Sequence, residues 1–191
     1  MRKIIAMEFY SLDGLMSDPE DRQDWVTDNF TADMGEYVDE VFAASDTLIL
    51  GATTYKIMAA YWPTAATNPN AFEGDAEFAS TINSMKKLVF SKAPLTPEWS
   101  GSEFVSEIDA DDIRRRKEAP GKHMLIQGSA SVVQQLTSLG LIDEYHLLVH
   151  PVILGQGKPL FAGVEDRRRL KLAGTKTFEN GVVLLHYLLA E

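Results

Sequence analysis

The chain contains no cysteine. Disulfides and thiolate metal sites are both excluded, and the composition suits a reducing cytosol. Long hydrophobic runs are missing too. No segment reaches the roughly 18 apolar residues of a membrane span. The apolar run in the opening MRKIIAMEFYSLDG is too short for a signal peptide, and acids follow it early. A cytoplasmic location with no membrane partner is therefore expected. Basic charge is scarce: 18 Lys and Arg face 28 Asp and Glu, a formal net charge of -10. Proteins that bind nucleic acid usually present a basic face, so no such partner is expected. The basic clusters are Arg114-Arg115-Arg116-Lys117 and Arg167-Arg168-Arg169. Asp109, Asp111 and Asp112 precede the first, as in a solvated helix with acids at its start and bases at its end. A small anionic ligand stays compatible, because local amides and one lysine outweigh a distant global field.

Familiar catalytic signatures are also lacking. There is no G-x-S-x-G elbow and no H-E-x-x-H pair. The four histidines, His123, His146, His150 and His186, lie in apolar strand patterns and read as structural. His146 and His150 share one face of a strand, but no acidic partner set points to zinc, and no metal is expected.

What is present is an ordinary globular composition, 45% hydrophobic and 24% charged over 191 residues. That supports a single domain, 1–191, with its own core. Strand and helix patterns alternate. Strands are expected at 3–9, 47–51, 86–91, 102–108, 123–127 and 143–154, the last interrupted or ended at Pro151. Helices are expected at 31–45, 53–62, 77–85, 109–118 and 129–140. Thr31 reads as an N-cap, with Met34, Val38, Val41 and Phe42 along one face. Residues 63–75 read as a long loop. Asn180-Gly181 between two alternating runs signals a closing hairpin. Strands separated by helices predict a three-layer α/β domain: a mixed, mostly parallel sheet of about eight strands with a C-terminal antiparallel hairpin.

Two segments share one design. In LILGATTY a buried strand ends at Gly51, and Thr53 and Thr54 open the next helix. In LIQGSASVVQQL a strand ends at Gln127-Gly128, and Ser129, Ala130 and Ser131 open another. Glycine permits close backbone approach, and the first turn of a helix offers unpaired N–H groups with a positive dipole end. Two such turns suit a diphosphate. The plainer reading of the second turn is that Ser129 caps its helix. Ser91 and Lys92 end a third strand, where Lys92 could meet a phosphate as a point charge. Asp13-Gly14 is a turn dipeptide, with a substrate-covering loop as the functional alternative. Asp33, Glu36 and Asp39 lie near the start of a helix, where exposed acids are commonplace.

The order SLDG, LILGATTY, YWP, VFSK, LIQGSASVVQQL, GLIDEYHLLVHPVILGQGKPLF and a closing hairpin resembles the dihydrofolate reductase-like superfamily. Within it, the chain is most similar to the reductase domain of bifunctional riboflavin biosynthesis proteins, the RibD C-terminal domain. The resemblance spans nearly the whole chain. It implies an eight-stranded mixed sheet, a homodimer formed through the strand DEYHLLVHPVIL, and NADPH as hydride donor. By the same resemblance, Gly51, Thr53 and Thr54 face the pyrophosphate from one side, and Gln127, Gly128, Ser129, Ala130 and Ser131 from the other. Ser91 and Lys92 lie by the 2′-phosphate. Ala6, Leu154 and Gly155 border the nicotinamide. Asp13, Asp33 and Trp62 border a small-molecule substrate, and Asp13 orients it or relays a proton. Relatives commonly carry a basic residue after the glycine of LILG, where this chain has Ala52. That leaves Lys92 as the cation and NADH as an alternative donor. The expected activity is reduction of a small heterocyclic or sugar-like substrate, like that of 5-amino-6-(5-phosphoribosylamino)uracil reductase. The alternatives are a nucleotide-binding regulatory protein without turnover, or a dihydrofolate reductase proper.

Overall fold

The structure is a computed structural model, and it describes residues 1–71, 74–164 and 166–190. The strands are β1 (Ile4–Ser11), β2 (Leu15–Ser17), β3 (Ser45–Gly51), β4 (Lys86–Phe90), β5 (Ser102–Val105), β6 (His123–Ile126), β7 (Glu144–His150), β8 (Lys158–Pro159), β9 (Leu170–Thr177) and β10 (Val183–Leu189). The helices are α1 (Asp24–Thr27), α2 (Ala32–Ala43), α3 (Ala52–Tyr61), α4 (Asp75–Ser84), α5 (Ala110–Glu118) and α6 (Ala130–Ser138), with a 3-10 turn at Trp62–Thr67.

Eight strands form one sheet in the order β5-β4-β3-β6-β1-β7-β10-β9. The first six run parallel. β10 lies antiparallel to both β7 and β9. Leu48, Ile49 and Leu50 of β3, and Leu125 and Ile126 of β6, are fully buried. A strand covered on both faces must be apolar on both, and these runs satisfy that. One core lies under α2, α3 and α4, joining Met34, Val38, Phe42, Tyr55 and Ile82 to Ile5, Met7, Leu48 and Leu50. The other lies under α5 and α6, joining Ile113, Val133 and Leu136 to Ile4, Ala6, Ile49 and Ile126. Odd and even strand positions thus feed opposite layers, giving the three-layer α/β architecture.

Several local details depart from the sequence expectation. β7 stops at His150, directly before Pro151, which has no N–H for the ladder. The first half of the expected loop 63–75 falls within the 3-10 turn, while positions 72 and 73 lie outside the described residues. α1, β2 and β8 were not expected; each is too short to show a period, and β2 and β8 exist by pairing with each other. Thr31 holds the cap position of α2, but its hydroxyl donates to Asp33 Oδ1 at 2.6 Å instead of accepting from the helix. The hairpin turns at Asn180-Gly181, with Gly181 at φ +82°. β7 has sheet partners on both sides, so no second copy can extend the sheet through it; the edge strands are β5 and β9. Antiparallel pairing also sets His186 opposite His146, and Glu144 lies two residues along the same face. Glu144 is on the same strand as His146, and the register of β10 brings His186 to the pair. Among the described residues, no helix is long and apolar enough to cross a membrane.

Parallel pairing brings the carboxyl ends of β1, β3, β4, β6 and β7 to one edge. Ligands gather at that edge in open α/β sheets.

Candidate active site

β3 and β6 are neighbours, with Ile49 level with Ile126. Gly51 and Gly128 therefore emerge side by side, and the Gly51 N–H donates to the Gly128 carbonyl at 3.2 Å. A Cβ on Gly51 would stand 2.2 Å from Ser129 Oγ and 2.9 Å from Ser129 Cβ. A Cβ on Gly128 would stand 2.9 Å from Thr54 Oγ1, and its φ of +71° already favours glycine. Each glycine makes room for a hydroxyl side chain of the other turn, so the turns interlock. The Gly128–Ser129 peptide is cis.

α3 and α6 start directly behind these turns. Neither has a side-chain cap or an acid in its first turn. α5 is built the opposite way: Asp109 accepts the Asp112 N–H at 2.7 Å, and Asp111 and Asp112 fill its first turn. The expected cap at Ser129 is not made; its hydroxyl pairs with Ser131 Oγ at 2.8 Å. Two adjacent helix starts are thus left with open N–H groups and no competing carboxylate of their own, an arrangement suited to a diphosphate. Thr53 and Ser131 are exposed beside them.

Ala6 is fully buried and level with Ile126, two residues before Gly128. The position of β1 bonded to the Gly128 turn is Glu8, whose Oε1 accepts the Gly128 N–H at 2.8 Å. Burial pushes this carboxyl up to about 8, although the Gly128 hydrogen bond opposes the shift. Glu8 is the principal residue missed in the sequence. Its signal was a lone acid inside the apolar run KIIAMEF. Gln127 stays beside the cradle, but its amide is engaged in the sheet, donating to the Met7 carbonyl at 2.7 Å.

Asp13 joins two loops. Its Oδ1 accepts from Ser11 Oγ at 2.6 Å and from the Leu154 N–H at 3.2 Å, and its Oδ2 accepts from the Gly155 N–H at 2.8 Å. The Leu12 N–H donates to the Val152 carbonyl at 2.9 Å beside it. The structure thus brings Asp13, Leu154 and Gly155 together. The Ser11 hydroxyl and the Gly155 amide hold the Asp13 carboxyl below its ordinary range. An acid this readily ionised is a clamp at neutral pH and a poor proton donor.

Ser91 and Lys92 follow β4, the next strand after β3, so they flank Gly51 from the other side. Ser91 Oγ is held by the Ala93 carbonyl at 2.6 Å, while Lys92 is exposed. Asp33 and Trp62 each contact other parts of the fold. Asp33 Oδ2 accepts the Glu179 N–H at 3.0 Å, which fastens α2 to the closing hairpin. Trp62 lies beyond the far end of α3, about 15 Å from its start by helix geometry. Its ring packs edge-on against Phe78 with centroids 4.9 Å apart, and its carbonyl accepts from Asn83 at 2.9 Å.

A second feature of the carboxyl edge was also missed. His150 ends β7 level with Ser11, packed edge-on against Trp25 and Phe9 with centroids 5.0 and 5.9 Å apart. Among the described residues, both His150 ring nitrogens and Trp25 Nε1 are buried without a hydrogen-bond partner. Burial lowers the His150 pKa to about 4, so the ring is neutral, with one donor and one acceptor.

The model of the RibD C-terminal domain matches residues 2–184. An uncharacterized Bacillus subtilis (strain 168) protein, YyaP, is 31% identical over 188 residues, 97% of this chain and 94% of that protein. Among solved structures, a candidate riboflavin biosynthesis protein from Shewanella sp. PV-4 aligns with a TM-score of 0.72 at 19% identity, covering 100% of both chains. A Thermotoga maritima diaminohydroxyphosphoribosylaminopyrimidine deaminase/5-amino-6-(5-phosphoribosylamino)uracil reductase aligns with a TM-score of 0.68 at 17% identity, over 99% of this chain and 57% of that one. At these identities the two structures show a shared fold.

Proposed function

Because the chain belongs to the RibD C-terminal domain family, we propose that it is an NADPH-dependent reductase of a small heterocyclic or sugar-like substrate. The observation that carries this reading is the interlocked pair of turns at Gly51 and Gly128, with two uncapped helix starts side by side. The residues fit a dinucleotide: α3 and α6 would hold the pyrophosphate, and Lys92 is the cation placed for a 2′-phosphate. Ala52 supplies no second charge, so NADH is the alternative donor. Bound there, the nicotinamide would supply a hydride to a carbonyl or imine carbon.

The chain's own residues bind and position. Asp13 fixes Leu154 and Gly155 where the carboxyl edge opens. Glu8, protonated at neutral pH, adds no negative charge beside the cradle. His150 and Trp25 offer a donor and an acceptor on aromatic walls, which suits a flat heterocycle. Leaving such groups unpaired costs about 1–3 kcal/mol each, and a ligand edge would recover part of that. A homodimer belongs to the same proposal, with β9 an edge strand of the sheet and Leu172 exposed on it.

The test is direct. Trp25, beside His150, should lose fluorescence on adding NADPH, while Trp62 at the far end of α3 should not respond. Oxidation of NADPH by a phosphoribosylaminopyrimidine would identify the substrate class. No response to NADPH or NADH would sink the proposal. Binding without any oxidation would favour the regulatory alternative.

A further inference from the structure

We propose that Glu144, His146 and His186 form a binding site for a divalent transition-metal ion of the zinc type. The three side chains come from β7 and its antiparallel neighbour β10, with His186 directly opposite His146. Nε2 of His146 lies 3.1 Å from Glu144 Oε2, and Nε2 of His186 lies 3.0 Å from the same oxygen. One donor atom from each of the three residues falls within 4.8 Å of the others. Donors sharing a tetrahedral ion at zinc bond lengths stand about 3.3 Å apart. Closing around an ion therefore needs adjustments of tenths of an ångström on the two measured edges.

The surroundings match a metal site as well. Nδ1 of His146 lies 2.7 Å from the Tyr37 hydroxyl. Metal-bound histidines characteristically have the second ring nitrogen held this way, which fixes tautomer and ring orientation. Glu144 is buried beside both imidazoles. Lys3 takes the other oxygen, Oε1, at 2.5 Å and leaves Oε2 facing the imidazoles. The lysine side chain is 52% exposed and free to swing into water. His186 is 28% exposed, which gives the ion a path in and an open coordination position toward solvent. Two imidazoles and one carboxylate oxygen suit zinc, and they suit calcium or magnesium poorly. Glu144 is level with Ile5, toward the amino end of β1, so the site is separate from the cradle and does not depend on the reductase reading.

The experiment uses the full chain stripped with a chelator, then titrated with Co2+ by visible absorption and Zn2+ by calorimetry. One ion per chain is expected, with Zn2+ bound at micromolar dissociation constant or tighter. Tyr37→Phe should weaken binding roughly 10-fold. His186→Gln, at the partly exposed ligand, should weaken it more, with an unchanged far-UV spectrum. His123→Gln should bind like the parent chain. Zn2+ should raise the melting temperature of the parent chain and not that of His186→Gln. Absence of saturable binding, or a His186→Gln chain that binds as tightly as the parent, would overturn the site.

Discussion

Glu8 Oε1 accepts the Gly128 N–H at 2.8 Å within the core, tying the middle of β1 to the turn that opens α6. The Glu8 carboxyl is raised from 4.5 to about 8, so its protonated form is the one folding favours. Its stabilising contribution is complete below pH 4.5 and is lost as pH rises through 8. Glu8→Gln keeps the acceptor and removes the titration. It should be more stable than the parent chain at pH 9, by on the order of 2 kcal/mol, and should match it at pH 5. NADPH affinity of the parent should fall above pH 8, while that of Glu8→Gln should stay level. Denaturant melts and fluorescence titrations at the two pH values check this.

The contact between Gly51 and Ser129 gives a second prediction. Gly51→Ala places a methyl 2.2 Å from Ser129 Oγ, so the turns must separate. Cofactor affinity should drop at least tenfold. Adding Ser129→Gly removes both close side-chain atoms and should restore much of it. Additive losses in the double variant, read by a double-mutant cycle, would disprove the interlock.

Asp13 clamps the loop carrying Leu154 and Gly155. Asp13→Ala should speed amide hydrogen exchange at Leu154 and Gly155 and raise KM, with the pH profile of kcat unmoved. The Asp13 pKa is depressed, so its clamp holds above its ordinary range near 3.8 and is released as pH falls below it. A shifted kcat profile in a conservative Asp13→Asn chain would instead make it a proton relay.

Lys92 is the cation beside Gly51, and Ala52 supplies none. Lys92→Ala should weaken NADPH about tenfold, the effect of one lost charge pair, and leave NADH nearly unchanged. Ala52→Arg should strengthen NADPH. Equal effects on both cofactors would remove Lys92 from the 2′-phosphate.

His150 is held neutral, with its pKa lowered to about 4 from 6.5. A depressed histidine stabilises fully above pH 6.5, and that contribution is lost as pH falls toward 4. His150→Phe keeps the aromatic packing and removes both unpartnered nitrogens. It should gain about 1 kcal/mol at pH 5 and lose substrate affinity, seen as raised KM with unchanged NADPH binding. Unchanged KM would take His150 out of the substrate site.

Much of the fold was legible in the sequence. The apolar runs at 47–51 and 123–127 are long enough and hydrophobic enough to be buried only as central strands, and glycine after each marks where the chain must turn. Acids at the start of α5 and bases at its end identify that helix, and Asn180-Gly181 identifies the hairpin. These are local properties, written in the period and the turn chemistry of short segments. What tertiary structure alone decided is which residues meet. Placing β3 beside β6 turned two ordinary glycines into an interlock, because only adjacency puts Ser129 against Gly51. The register of β1 on β6 brought Glu8 to the cradle. The antiparallel return of β10 set His186 across from His146. Contacts between segments many residues apart depend on strand order and register, and no local pattern encodes either.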